Sequence, residues 1–467
     1  MRVIGASTLA LFAASCVSAP PREPLPVTGD AAPFAASGAA ALEQRWWTAF
    51  GDADLDARME RALSDNLSLR AAWRRVEEAR ALVRFTDSAR GPRLDGVATG
   101  ALFDGSESQD SSRVSLGLEA SWELDLFGRI DALVEADALL AAATEADYRA
   151  IAVGLSADVA LTWYQLAEAR EQRALVESQL DANESVLALL EARFGIGESD
   201  SADVLRQRQL VEATREQLVV IDARVEVLEH RLAILEGRAP QEVVELAPAL
   251  PTLPDLPSTG LPSELLERRP DVRAAFLRLE AADAEVSAAV RDTYPRIDLS
   301  AGIATIATRP SGLFEDWLAD LTASLVAPLY DSGRRRAEVD RAVAARRRLL
   351  AEYGDRVLVA FAEVEDALAQ ERLQVRRIAS LEQQVTLAEG TYRQLRTQYL
   401  GGAAEYIDVL IALRELQGLR RDRLAARLDR VALRIALHRA LAGGFATPYD
   451  EDEGSGEHES VRDDDRD

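Results

Sequence analysis

Arg193-Phe194-Gly195-Ile196-Gly197, followed by Asp203-Val204-Leu205, returns 205 positions later as Gln398-Tyr399-Leu400-Gly401-Gly402 and Asp408-Val409-Leu410. The shift lays Phe194 on Tyr399, Gly197 on Gly402, and one Asp-Val-Leu run on the other. The match extends backwards. Val176, Leu180, Leu187, Leu190 and Phe194 step by 4, 7, 3 and 4, and Leu381, Val385, Tyr392, Leu395 and Tyr399 step identically. Apolar residues at that spacing line one side of a helix. Each copy is therefore a helix that turns at glycines, Gly195 and Gly197 in one and Gly401 and Gly402 in the other, and is followed by a second helix.

The duplication reaches much further. Leu69-Arg70-Ala71-Ala72 returns as Val272-Arg273-Ala274-Ala275, and Pro92-Arg93-Leu94-Asp95 as Pro295-Arg296-Ile297-Asp298, both 203 positions on. Gly128-Arg129 returns as Gly333-Arg334 at 205, so two residues enter between 95 and 128, inside a predicted strand loop. Insertions collect in such loops. The reading divides the chain into a first repeat over 42–246, a Pro-rich linker over 247–262 and a second repeat over 263–445.

Between the tips lie two kinds of element. Gly128 to Phe194 is 67 residues without proline, and Gly333 to Tyr399 matches it. At about 1.5 Å per residue each would run roughly 100 Å. Helices of that length, with return helices over 200–236 and 403–442, imply coiled-coil packing rather than a globular core. Before each long helix come alternating stretches. Leu116, Leu118, Trp122 and Leu124 oppose Ser115, Gly117, Glu119, Ser121 and Glu123; Trp317, Leu321 and Leu325 oppose Asp320, Thr322 and Ser324. The same alternation carries on to Leu126 in one copy and Leu329 in the other. A half-buried sheet alternates this way, and so does a membrane β-barrel with lipid outside and water within. Four strands per chain cannot close a barrel, since the smallest need about eight. Three chains would supply twelve.

The N-terminus reads as a targeting segment. Met1-Arg2 and the mostly apolar run from Val3 to Ala14 fit a secretory signal over 1–15, too short to span a bilayer. Ala13-Ala14-Ser15-Cys16 resembles the lipoprotein cleavage box, which makes Cys16 the candidate lipidation site. Residues 16–41, rich in Pro and Ala, read as an extended tether without a core of its own. Residues 446–467 read as an acidic disordered tail.

A net charge of −25 argues against nucleic acid. Every one of the 54 basic residues is Arg. One Cys and three His (His230, His438, His458) leave little for a metal centre or a Cys/His pair, and no Gly-x-Ser-x-Gly elbow is present. The sequence points to no enzyme, no cofactor and no metal.

Taken in order, Trp46-Trp47-Thr48-Ala49-Phe50-Gly51-Asp52, Trp122-Glu123-Leu124-Asp125-Leu126-Phe127-Gly128, Glu267-Arg268-Arg269-Pro270-Asp271-Val272-Arg273 and Pro328-Leu329-Tyr330-Asp331-Ser332-Gly333 resemble the TolC-like outer-membrane efflux channels, within them the OprM/NodT lipoprotein branch. The resemblance covers about residues 42–445. It implies a homotrimer: a twelve-stranded outer-membrane β-barrel continued by a long periplasmic α-helical coiled-coil barrel. It implies a passive exit duct for small molecules such as drugs, docked on a periplasmic adaptor and an inner-membrane pump and lipid-anchored in a Gram-negative outer membrane. It further implies a periplasmic gate at Ile407, Asp408 and Ile411, where three Asp408 carboxylates near an axis attract cations. By the same resemblance Asp203 and Tyr399 form a tyrosine–carboxylate latch; the companion Arg of that latch is Ala404 here, and a frequent second gate acid is Ile411. The alternative reading is a non-pore periplasmic coiled-coil protein or an adaptor.

Overall fold

The computed structural model describes residues 21–25, 32–103, 111–241 and 249–450. The signal segment, Cys16 and most of the acidic tail lie outside the described residues. In the first half the order is a 3-10 turn at Trp46–Phe50, helices α1 (Ala53–Asp65) and α2 (Leu67–Asp87), strands β1 (Arg93–Phe103) and β2 (Ser111–Leu124), then α3 (Arg129–Gly195) and α4 (Ser201–Leu235). In the second half α5 (Pro262–Arg268), α6 (Pro270–Arg291), β3 (Arg296–Ala307), β4 (Trp317–Val326), α7 (Arg334–Leu400) and α8 (Tyr406–Leu441) repeat that order. Both α3 and α7 run 67 residues. Among the described residues the protein is mostly helical with one small sheet.

The chain forms two compact units. The first holds 74–147 and 271–357 together with the described residues 21–25; the second holds the rest.

In the first unit the strands form one antiparallel sheet, β1-β2-β3-β4, so the two repeats meet at β2 and β3. The register puts Leu118 beside Ile303 and Ile303 beside Ala319; Trp122 lies beside Leu299 and Leu299 beside Ala323. One face is thus largely apolar, Thr305 apart: Leu94 and Ala98 on β1, Leu116, Leu118, Trp122 and Leu124 on β2, Ile297, Leu299 and Ile303 on β3, Trp317, Leu321 and Leu325 on β4. The opposite face is acidic. Asp95 stands across from Glu119, and Glu123 across from Asp298. Like charges so placed weaken a sheet; Arg93 on Asp95 and Arg129 on Glu123 offset part of that repulsion.

Both apolar strands stop earlier than the alternation predicts. Leu126 leaves the sheet because the chain turns there: the Leu126 amide bonds Leu124 O, Gly128 takes φ 74°, and the Asp125 carboxylate accepts the Asp131 amide at the start of α3. Leu329 leaves it after Pro328, which has no N–H for the ladder. There the Asp331 carboxylate accepts the Gly333 and Arg335 amides and starts α7.

The second unit is a helical core. Between Ala152 and Ala169, α3 is buried on nearly every side, with Trp163, Tyr164 and Leu166 fully enclosed. The Trp46-Trp47 motif sits in this core. Trp46 donates to Ser156 Oγ at 3.1 Å and stacks on His438 at 5.4 Å between ring centres, while Trp47 meets Phe445 edge-on.

The described parts of the N-terminal segment correct the tether reading. Arg22 pairs with Asp283, Glu23 with Arg347, and Arg346 donates to Pro21 O, all in the first unit. In the second unit Phe34 packs on Phe361, the Ala35 amide donates to Glu365, and Gly38 bonds Pro257 O. A Cβ on Gly38 would stand 1.6 Å from Leu256 O, so only glycine allows this approach. The segment has no core of its own, yet its contacts lie hundreds of positions away in sequence, where composition gives no sign of them.

Candidate gate at the helix tips

Each tip ends in the same backbone motif. Glu198 N–H bonds Arg193 O and Gly197 N–H bonds Phe194 O; Ala403 N–H bonds Gln398 O and Gly402 N–H bonds Tyr399 O. Gly197 (φ 80°) and Gly402 (φ 73°) occupy the left-handed position that this helix ending needs. Gly195 and Gly401 do not have positive φ, and a Cβ at either meets nothing closer than 3.5 Å. Only one glycine of each predicted pair is conformationally required.

The tips converge on one apolar cluster: Leu190 of α3, Val204 and Leu210 of α4, and Tyr406, Val409, Leu410 and Leu413 of α8. Leu187, Tyr392, Leu395, Tyr399 and Ile407 pack around it. Most of the predicted ladders therefore face inward. Phe194 is the exception, half exposed at the end of α3. The cluster fixes how α8 is turned. With Tyr406, Val409 and Leu410 inside, Asp408 and Ile411, three positions apart, are left exposed on the outer side of its first turns, and Ile407 is half-buried between.

The predicted latch is not made. The Tyr399 hydroxyl is buried with no hydrogen-bond partner among the described residues. Asp203 instead accepts from Arg206, one turn along its own helix, at 3.1 Å. The Arg193 guanidinium covers the Tyr399 ring at 5.1 Å, a cation–π contact that needs no carboxylate.

A different set of bonds ties α8 to the first hairpin. Tyr406 OH donates to Gln207 Oε1 at 2.5 Å, and Gln207 Nε2 donates to Asn183 O at 2.7 Å. The Asn183 side chain donates to Thr214 Oγ1 at 3.0 Å and accepts from Gln417 Nε2 at 2.9 Å. Further from the tip, Gln179 Nε2 donates to Gln417 O, Arg421 donates to Gln179 Oε1, and Gln172 Nε2 donates to Arg421 O. Asn183 and Gln207 are both fully buried. A signal for Asn183, though not for Gln207, was present in the sequence: Gln172, Gln179 and Asn183 fall at steps of 7 and 4 on the stripe that holds Val176. A polar residue on an apolar seam is a register marker.

The outer membrane efflux protein model matches residues 59–238 and 261–443, most of the chain. The chain is a member of that family. It is 31% identical over 416 residues to the pyoverdine export outer membrane protein OpmQ of Pseudomonas aeruginosa, covering 86% of this chain and 88% of that one. It is also 31% identical over 408 residues to the cation efflux system protein CusC of Escherichia coli, with coverage of 86% and 88%. Among solved structures it superposes on the outer-membrane channel OprN with a TM-score of 0.83 at 30% identity, over 91% of this chain and 98% of that one. Family membership makes this an outer-membrane efflux protein, a transport component.

Proposed function

We propose that three copies of this chain form a passive exit duct of a tripartite efflux system, fed by a periplasmic adaptor and an inner-membrane pump. In this reading each chain contributes four strands to a twelve-stranded outer-membrane barrel and its two helical hairpins to a periplasmic tunnel. The two structural repeats, 42–246 and 263–445, would be the equivalent halves of each chain's share.

The observation that carries the reading is the sheet. Its apolar face spans four strands, Leu321 on it is 79% exposed, and β4 is exposed along its whole length. A four-stranded sheet in water would not leave such a face bare, and β1 and β4 remain edges that only further strands can close. Phe314 and Trp317 at one end of the sheet, with Trp122 and Phe127 at the other, have the positions of interfacial aromatic girdles. Along α4, Val220, Val227 and Ile234 are exposed at steps of seven, a seam suited to a neighbouring subunit.

Lipidation of Cys16 belongs to the same proposal. Pro21 is held by Arg346, twelve residues into α7, or about 18 Å from its strand-side end. Cys16 precedes Pro21 by five residues, a chain reach of at most about 18 Å, which is the same distance.

Small-molecule cargo is the class we propose. Equal identity to a protein named for pyoverdine export and one named for cation efflux argues that the choice of cargo resides in the pump rather than in this frame.

In the gate we assign, Ile407, Asp408 and Ile411 stand where α8 turns its uncovered side outward. Purified protein is expected to migrate as an oligomer that boiling converts to monomer, and to form pores in planar bilayers. A soluble monomer without pore activity would overturn the duct. Asp408→Asn is expected to lower the cation-to-anion permeability ratio several-fold; an unchanged ratio removes Asp408 from the constriction.

A further inference from the structure

We infer that a cavity in the second unit, walled by the N-terminal segment, the Pro-rich linker and helices α7 and α8, is a binding site for an organic anion with an apolar body. The site shares no residue with the proposed gate and does not depend on the duct. The cavity holds about 490 Å³, within the range of pockets that enclose small organic molecules. Leu253 and Leu256 of the linker and Leu368 and Val375 of α7 give it apolar walls, while Arg372 of α7 and Arg430 of α8 give it charge.

Its shape is set before any ligand arrives. The N-terminal segment and the linker are tied to each other: the Gly38 and Ala40 amides bond Pro257 O and Leu256 O, and the Ser258 amide bonds Ala40 O. Phe34 on Phe361 and the Ala35 amide on Glu365 fasten the same segment to α7. Arg434, only 3% exposed, fixes the remaining wall. Its Nε and Nη2 lie on Glu371, and its Nη1 donates to the carbonyls of Pro254 and Asp255. A cavity held in this way needs little ordering on binding.

The charges in it are not balanced internally. A smaller cavity, where Arg22 meets α6 and α7, gives the contrast. It holds about 230 Å³, and its two arginines, Arg22 and Arg346, both reach Asp283. In the larger cavity neither Arg372 nor Arg430 has an ion pair or a side-chain hydrogen bond among the described residues. Arg430 Nε is buried without a partner, so the chain itself does not offset its desolvation. Arg372, Arg430 and Arg434 against Asp255 and Glu371 leave one positive charge in excess. Glu371 is already taken by Arg434, and Asp255 is exposed, where water screens it. An anion entering here meets two uncommitted guanidiniums beside walls that exclude water, the setting in which charge-assisted hydrogen bonds are strongest.

Equilibrium dialysis of the full-length protein in a neutral detergent, with detergent alone as the blank, reads the site directly. Naphthalene-2-carboxylate is the probe, and 2-naphthamide is its uncharged counterpart. The carboxylate is expected to bind saturably and about tenfold more tightly than the amide, the difference one charge-assisted hydrogen bond makes. Arg372→Gln and Arg430→Gln are each expected to weaken the carboxylate several-fold and to leave the amide unchanged. Ala369→Trp, at an exposed position of α7 on the cavity wall, is expected to fill the space and abolish binding of both. Size-exclusion elution matching wild type confirms that each variant is folded, and Arg372→Gln, at an exposed position, carries the charge test if Arg430→Gln does not fold. Equal affinity for carboxylate and amide would overturn the anion site. So would a carboxylate affinity untouched by the arginine substitutions, or the absence of saturable binding.

Discussion

Glu236→Leu is expected to destabilise the folded chain by about 3–5 kcal/mol, the loss typical when one partner of a buried ion pair is removed. Glu236 is fully buried at the end of α4 and meets Arg58 Nη1 of α1 at 2.6 Å and Arg238 at 2.7 Å. Arg58 is itself only 3% exposed and lies over the Trp163 ring at 4.5 Å. Without Glu236 the guanidinium keeps its aromatic contact and loses its counter-charge in a site water does not reach. The double variant Arg58→Met with Glu236→Leu puts apolar groups of similar length on both sides and is expected to recover most of the loss. Denaturant unfolding in detergent, comparing both singles with the double, reads the coupling directly. If the double loses as much as the two singles combined, the pair contributes nothing as a pair.

The second large effect is expected on acidification. His438 is 4% exposed, stacked on Trp46 and close to Phe50, and neither ring nitrogen has a hydrogen bond among the described residues. Burial, reinforced by the nearby Arg434 charge, lowers its pKa from 6.5 to about 4. The folded chain therefore refuses a proton that the unfolded chain accepts. Above pH 6.5 both states are neutral at this site and stability does not depend on it. Below 6.5 the unfolded state gains a proton, and stability falls until the folded site also titrates near pH 4. The total is about 3 kcal/mol per chain. His438→Phe keeps the stacking and removes the titration, so the variant is expected to show a flatter decline of its unfolding midpoint between pH 6.5 and 4. An identical slope in wild type and variant would assign the acid sensitivity elsewhere.

Legibility followed the range of the physics involved. The turns at Gly197 and Gly402 were readable because a left-handed ending is demanded within five residues, and because the duplication shows the demand twice. The lengths of α3 and α7 were readable for a similar reason: helical propensity and the absence of proline act along the chain. The alternation of Leu116, Leu118 and Trp122 against Ser115, Gly117 and Glu119 is likewise a property of one strand. Where a strand stops is less local, and Leu126 and Leu329 show it. Their pattern continues, but the Asp125 and Asp331 carboxylates capture the amides of the following helices first.

The candidate site was legible only in part. Asp408 and Ile411 could be named from the repeated Asp-Val-Leu run and the family resemblance. The side of α8 they occupy was settled by which neighbours the tip cluster buries. The latch of Asp203 and Tyr399 was inferred by position, and position was insufficient: Arg206, one turn away, takes the Asp203 carboxylate, while the Tyr399 ring lies under Arg193 of the other hairpin. The bond from Tyr406 to Gln207 joins residues 199 positions apart, and no spacing rule points to it.

By itself, the sequence determined a duplicated chain of long helices and amphipathic strands, since helix period, strand alternation and turn geometry depend on neighbours along the chain. Only the tertiary structure decided that β2 pairs with β3, that the N-terminal segment straps onto helices, and that Asn183 and Gln207 hold α8. Those outcomes depend on how each helix is rotated and which rung each strand meets. Packing of the whole core sets both, because a buried polar group must find its partner wherever the fold brings one.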